Sequence, residues 1–366
     1  MHYLVLVVFL ATQSAKKEMR NACLIMYSLL LIVFAFMTRE GSWDYFGYIE
    51  YYRCSISTDC NTSGFEKSFG YISNLAAAIS ASWGFELTYF FYISVAILLK
   101  VFLIKRYSKA VGISIFALIC YGYFVHDLTQ IRASLSIALL WIACFLFTNK
   151  KYSGAALLLI FATFFHTSAL LGILIFASTF FSTGLLLWLS FIAVLTGSFA
   201  GVQLTQLPDF GIDRLLTYTT AVGSEALTAS PFNFYAISML LLAYIAYTTG
   251  RGKLSGIEKL SVNGMLLGIS LYFVTSYIPV VPLRVLEILS CLYPFVAGAT
   301  YKNTSSKMAK LFMVTLFLGL FVNTSVKNNT RSDFILPWHS INTEYMTEIQ
   351  LNQYEETQGQ SLLFGN

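Results

Sequence analysis

Four short stretches place ionisable side chains in a chain that is otherwise mostly apolar. His126-Asp127-Leu128-Thr129-Gln130-Ile131-Arg132 joins two apolar runs, with Arg132 just inside the second. Pro282-Leu283-Arg284-Val285-Leu286-Glu287 has a similar form, and Phe165-His166-Thr167-Ser168 breaks another apolar stretch. Thr38-Arg39-Glu40-Gly41-Ser42-Trp43-Asp44-Tyr45 follows the end of a fourth. Arginine carries a planar donor fork that fits phosphate or carboxylate. Histidine or a carboxylate can take a proton from a hydroxyl, so His166 and Asp44 are candidate bases. The rings of Trp43 and Tyr45 can stack on sugar faces, and Asp44 could also bind sugar hydroxyls. Each stretch also has a plainer explanation. Arg132 could snorkel to an interface, Arg284 could pair with Glu287 one turn on, and His166 could be a hydrogen-bonded packing residue. Arg39 and Trp43 would serve equally as interface anchors.

The elements that must hold these groups follow from composition. The chain has 366 residues, 57% hydrophobic and only 11% charged, with mean hydropathy +0.68. A soluble domain carries about 25% charged residues, so a soluble enzyme, a disordered chain and a nucleic-acid binder are excluded. Apolar runs at 3–14, 22–38, 85–104, 111–126, 130–147, 153–166, 168–182, 184–201, 232–248, 260–278, 284–300 and 311–326 predict an all-α, polytopic membrane protein of about twelve spanning helices. Residues 1–326 form one transmembrane domain, with long loops at 39–84 and 202–231; 327–366 form a polar tail. The stretch Phe65 to Ser82 reads as an interfacial helix. Six cysteines make no disulfide scaffold. Cys54 and Cys60 would pair in an oxidising compartment, with two free thiols as the alternative.

Charge placement orients the chain. Fifteen of the 23 basic residues, Lys100 among them, fall at alternate connections, which marks those connections as cytoplasmic and puts both termini outside. Twelve of these fifteen are lysine, whereas six of the eight outer basic residues are arginine; sixteen of the eighteen acids are outer as well. Arg39, Arg132, Arg214 and Arg284 thus share one face with Asp44, Asp127 and His166. An outer-face site of this composition suits a substrate with an anionic phosphate linkage, a lipid tail and a carbohydrate head.

Asp44 with its following aromatics, Gln130-x-Arg132 at a helix start, Phe165-His166-x-Ser168-Ala169, Pro282-x-Arg284 and Leu336-Pro337-Trp338 resemble the EpsG-type polysaccharide polymerases, within the wider Wzy-like group of O-antigen and capsule polymerases. The resemblance implies a glycosyltransferase of the bacterial cytoplasmic membrane. It would join oligosaccharide repeat units carried on undecaprenyl pyrophosphate, beside a flippase and a chain-length regulator of the same pathway. On that reading Arg132 and Arg284 stabilise the pyrophosphate, Arg39 and Arg214 make further anion contacts, and His166 or Asp44 is the base. Gln130, Asp127, Trp43 and Tyr45 support them. No nucleotide-sugar DxD metal motif occurs, and neither a metal nor another cofactor is expected. An O-antigen ligase-like transferase and a lipid-linked oligosaccharide flippase are the competing readings.

Overall fold

A computed structural model describes residues 17–39, 42, 44–57, 66–200, 233–250, 254, 256–276 and 281–329. The described elements are helices: α1 (Lys17–Met37), α2 (Tyr45–Ile56), α3 (Lys67–Ile79), α4 (Gly84–Tyr107), α5 (Val111–Leu118) continuing into a π-helical segment (Ile119–Asp127), α6 (Ile131–Thr148) and α7 (Tyr152–Phe165). After a 3-10 turn (Thr167–Leu171) come α8 (Gly172–Ala177), α9 (Thr183–Ala200), α10 (Phe234–Gly250), α11 (Ile257–Val274), α12 (Val281–Leu289), α13 (Tyr293–Asn303) and α14 (Lys307–Asn329). There is no strand among the described residues. Continuous apolar sequence favours this outcome, because a helix satisfies its backbone groups within one segment.

Every apolar run from 22–38 onward coincides with one or more of these helices; the run at 3–14 lies outside the described residues. Gly84–Tyr107, Ile131–Thr148, Ile257–Val274 and Lys307–Ser325 are long and apolar enough to cross a membrane. The number rises to six when each of two bent pairs counts as one span: Thr167–Phe180 with Thr183–Thr196, bent by 119°, and Val281–Leu289 with Tyr293–Asn303, bent by 47°. The stretch 65–82 expected to hold a helix contains α3, whose Tyr71, Leu75 and Ile79 are exposed. Phe102, Leu157, Trp188 and Val322 are exposed on other helices, an outward apolar face that suits lipid.

Glycine allows two of these helices to meet backbone to backbone. A Cβ on Gly264 would lie 2.8 Å from the Leu289 carbonyl oxygen, and one on Gly268 would lie 2.9 Å from Leu289 Cβ. The spacing is the small-xxx-small pattern of close membrane-helix packing. Gly264→Ala is expected to destabilise the protein by about 1–3 kcal/mol through overpacking. A lower melting temperature of purified protein would register this, and an unchanged one would contradict the close approach.

The π segment also has an identifiable cause. Tyr293 Oη inserts beside the α5 ladder, accepting from Gly122 N at 2.9 Å and lying 3.2 Å from the Ala117 carbonyl as donor. The displaced ladder continues with the wider bond Leu128 N to Tyr123 O, 3.0 Å. Gly122 is required there, since its Cβ would lie 2.9 Å from Tyr293 Oη. One expectation from charge placement is corrected here. Lys100 is no loop marker; it is buried inside α4 and bonded to Asp127.

Candidate functional site

The residue that organises the site is Glu66, an acid that sequence reasoning did not single out. It stands at the start of α3, where Ser68 Oγ donates to the Phe164 carbonyl and ties this helix to the end of α7. His166 closes α7, its N–H bonded to Ala162 O at 3.1 Å. The two meet with His166 Nδ1 3.0 Å from Glu66 Oε1, which also accepts from Thr167 N at 3.3 Å. The other carboxylate oxygen, Oε2, pairs with Arg132 Nη1.

Burial pushes the Glu66 carboxyl upward, but the His166 hydrogen bond and the Arg132 charge together outweigh it and bring its pKa down to about 2. Glu66 is therefore ionised at any pH where the protein works, and an ionised carboxylate only accepts hydrogen bonds. His166 Nδ1 must then carry the proton that faces it. In the neutral ring this leaves the lone pair on Nε2, the tautomer that can take a proton from a substrate. Nε2 lies 3.2 Å from Ser168 Oγ.

Arg132 is held from several sides. Its guanidinium carbon lies 5.3 Å from the Tyr48 ring centre and 5.1 Å from that of Tyr51, both on α2, in addition to the Glu66 pair. Such cation–π contacts place the charge without neutralising it. Arg284 is the more open arginine, its side chain 32% exposed against 17% for Arg132. Its Nη1 donates to Gln130 Oε1 at 2.5 Å and lies 3.6 Å from Glu287 Oε2, so the local i,i+3 pair is present but long. Gln130 and Arg132 open α6 together, and Gln130 brings Arg284 beside them.

Asp44 caps α2 and joins the same group. Its residue is exposed, although neighbouring protein desolvates the carboxyl. Burial raises its pKa above the usual aspartate value, opposed by the charges of Arg284, Arg132 and His166. That opposition shows all four groups to be electrostatic neighbours. An open cavity of about 260 Å³ lies beside Glu66, lined also by Lys67, Thr163, Phe164 and Thr167.

The structure thus brings together Asp44, Gln130, Arg132, His166 and Arg284 from four separate stretches of sequence. Tyr45 points elsewhere: it is buried in an aromatic cluster, with Phe85 at 5.5 Å and Tyr89 at 5.8 Å between ring centres. Arg39 donates to the Phe36 carbonyl at 2.8 Å and lies over the Phe36 ring, as an interface anchor would. Asp127 is buried against Lys100. Trp43 and Arg214 lie outside the described residues. Cys54 is disulfide-bonded, and Cys60, its expected partner, also lies outside them. Among the described residues, no three His, Cys, Asp or Glu side chains group as a metal site would require.

The arrangement offers a carboxylate-oriented imidazole, a half-open guanidinium and a second carboxyl in one cluster. It can accept a proton and bind an anion side by side. No curated protein and no solved structure matches the chain. A family model, that of the EpsG family, matches residues 20–340, most of the sequence and every described residue of the cluster. The chain belongs to the EpsG family.

Proposed function

We propose that this chain is a polysaccharide polymerase that transfers a growing glycan from undecaprenyl pyrophosphate to the terminal sugar of the next lipid-linked repeat unit. Family membership suggests a polymerase-type function of this kind. The single observation that supports the chemistry is the Glu66–His166 pair beside Arg132 and Arg284. The protein works in the bacterial cytoplasmic membrane, with about twelve spans, both termini outside, and the cluster on the outer face.

In this reading His166 Nε2 takes the proton of the acceptor hydroxyl while that oxygen attacks the anomeric carbon of the donor. The bond from that carbon to the pyrophosphate oxygen breaks, and the lipid pyrophosphate leaves with the electron pair. Arg284 meets the developing charge with its exposed donors, which strengthens the transition state more than the ground state. Guanidinium groups supply this stabilisation without a metal ion. Arg132 acts chiefly by holding Glu66, and Glu66 by holding the imidazole. Asp44 receives a second hydroxyl of the acceptor sugar. Membrane lipids surround the body of the protein, and a flippase and a chain-length regulator of the same pathway are its proposed partners.

Cells lacking the chain test this reading against its competitors. A polymerase defect leaves single repeat units on the final carrier and no long chains. Loss of a ligase or a flippase would remove the single-unit product as well, and that result would overturn the proposal.

Asp44 adds a pH signature. Its raised carboxyl keeps a proton to higher pH than an ordinary aspartate, and only the ionised form offers both oxygens as charged acceptors to a hydroxyl. Turnover is expected to rise with pH as Asp44 loses its proton, above the range of an ordinary aspartate. Asp44→Asn should remove that contribution to the acid limb, and an unchanged limb would remove Asp44 from the mechanism. Glu66, ionised from about pH 2 upward, contributes nothing to the limb.

A further inference from the structure

Lys100 and Asp127 lie inside the apolar body of the protein, each side chain 1% exposed, where a charge is costly unless paired. Lys100 Nζ stands 2.7 Å from Asp127 Oδ1 and 3.0 Å from Ser134 Oγ, and Ser134 donates to the same carboxylate oxygen. The three groups come from α4, from the end of the π segment, and from the first turn of α6. Between Asp127 and Ser134 runs the turn that carries Gln130 and Arg132.

That turn is anchored at both of its ends. Asp127 and Ser134 fasten it to Lys100, and Tyr89 of α4 donates to the Leu128 carbonyl at 3.3 Å. Within it, Gln130 N donates to His126 O at 3.0 Å. A cavity of about 10 Å³, room for about one water, touches Lys100, His126 and Glu287. It connects this buried group to the acid beside Arg284.

Two apolar side chains could hold helices together here as well as an ion pair does, since replacing a buried pair by matched apolar groups is often neutral or stabilising. An ion pair adds direction: its hydrogen bonds fix the rotation and depth of each helix, where apolar contact tolerates sliding. We infer that Lys100, Asp127 and Ser134 are positioning residues, a buried clamp that sets where Gln130 and Arg132 present their side chains to the substrate. The clamp acts through those two residues, and its effect on turnover rests on the polymerase reading above.

The test uses full-length protein purified from membranes. Lys100→Met alone leaves Asp127 without its cation and is expected to accumulate poorly. Lys100→Met/Asp127→Leu should regain the wild-type level and melting temperature. Lys100→Met/Asp127→Asn, of nearly unchanged volume, should do so too and serves in its place where leucine overpacks. In the stable double variant, early deuterium uptake over residues 128–134 is expected to rise about threefold, since local opening becomes easier. Repeat-unit turnover should fall about tenfold with KM little changed, as small misplacement of reacting groups lowers the rate. Wild-type exchange across 128–134 would overturn the clamp, and so would raised exchange with undiminished turnover. Failure of the polymerase reading looks different: wild-type protein would join no repeat units, while the double variant would still show raised exchange and so support the clamp.

Discussion

Glu66→Ala, in protein that reaches the membrane at its normal level, is expected to lower repeat-unit joining by about 10²–10³-fold. Glu66 Oε1 is the acceptor that keeps the His166 proton on Nδ1, and Oε2 is the partner that holds Arg132. Its removal frees the imidazole to rotate and to adopt the other tautomer, in which Nε2 carries a proton and cannot act as a base. Arg132 at the same time loses its carboxylate, although Tyr48 and Tyr51 still flank it. Glu66→Gln should recover little, because an amide matches the shape but can present a donor to Nδ1. Glu66→Asp should recover part of the rate, since the charge is kept and only its reach is shortened. Turnover of purified variants against a lipid-linked repeat unit checks this series, with the melting temperature recorded alongside. A Glu66→Ala rate within about twofold of wild type would show that the imidazole needs no such orientation.

The second large effect is expected at Arg284. Arg284→Ala should lower the rate by about 10²–10³-fold, the cost of removing one preorganised donor from a site where negative charge develops. Arg284 is half-open, hydrogen-bonded to Gln130 and only distantly paired to Glu287, so part of its donor fork is accessible. Arg284→Lys should stay well below wild type, because an ammonium group provides charge without the planar pair of donors. Gln130→Ala should give a smaller loss of the same kind, since it aims the guanidinium rather than meeting the substrate. Arg132→Ala should differ by lowering the melting temperature as well as the rate, because Arg132 is built into the packing of α2, α3 and α6. Equal rates for arginine and lysine at position 284 would reduce its role to that of a point charge.

Much of this site can be read from the amino-acid sequence, because sparse charge in an apolar chain is conspicuous. Arg132, Arg284, His166 and Asp44 stood out on that ground, and the apolar runs marked the helices that carry them. Glu66 did not stand out, as one acid among many in the segments expected to be outer. Its partners lie 66 and 100 residues further along the chain, so no local spacing announces the pair. The only sequence cue was its place at the start of the amphipathic stretch that becomes α3. Lys100 misled for a related reason: near the end of an apolar run, a loop lysine and a buried one look alike until the partner helix is known. The π segment depends on Tyr293, 171 residues from Gly122, and is equally invisible to periodicity. Tyr45 shows the opposite error, an aromatic residue suited to sugars that is spent instead on packing against Phe85 and Tyr89.

The central claim is that this chain itself joins lipid-linked repeat units and uses His166 to do so. Its most direct test is a reconstitution: purified full-length protein in liposomes, supplied with undecaprenyl-pyrophosphate-linked repeat units and no other protein, with products separated by length. The expected result is a ladder rising one repeat unit at a time for the wild type, and unextended single units for His166→Ala at equal protein. A His166→Ala ladder as long and as fast as that of the wild type would contradict the account.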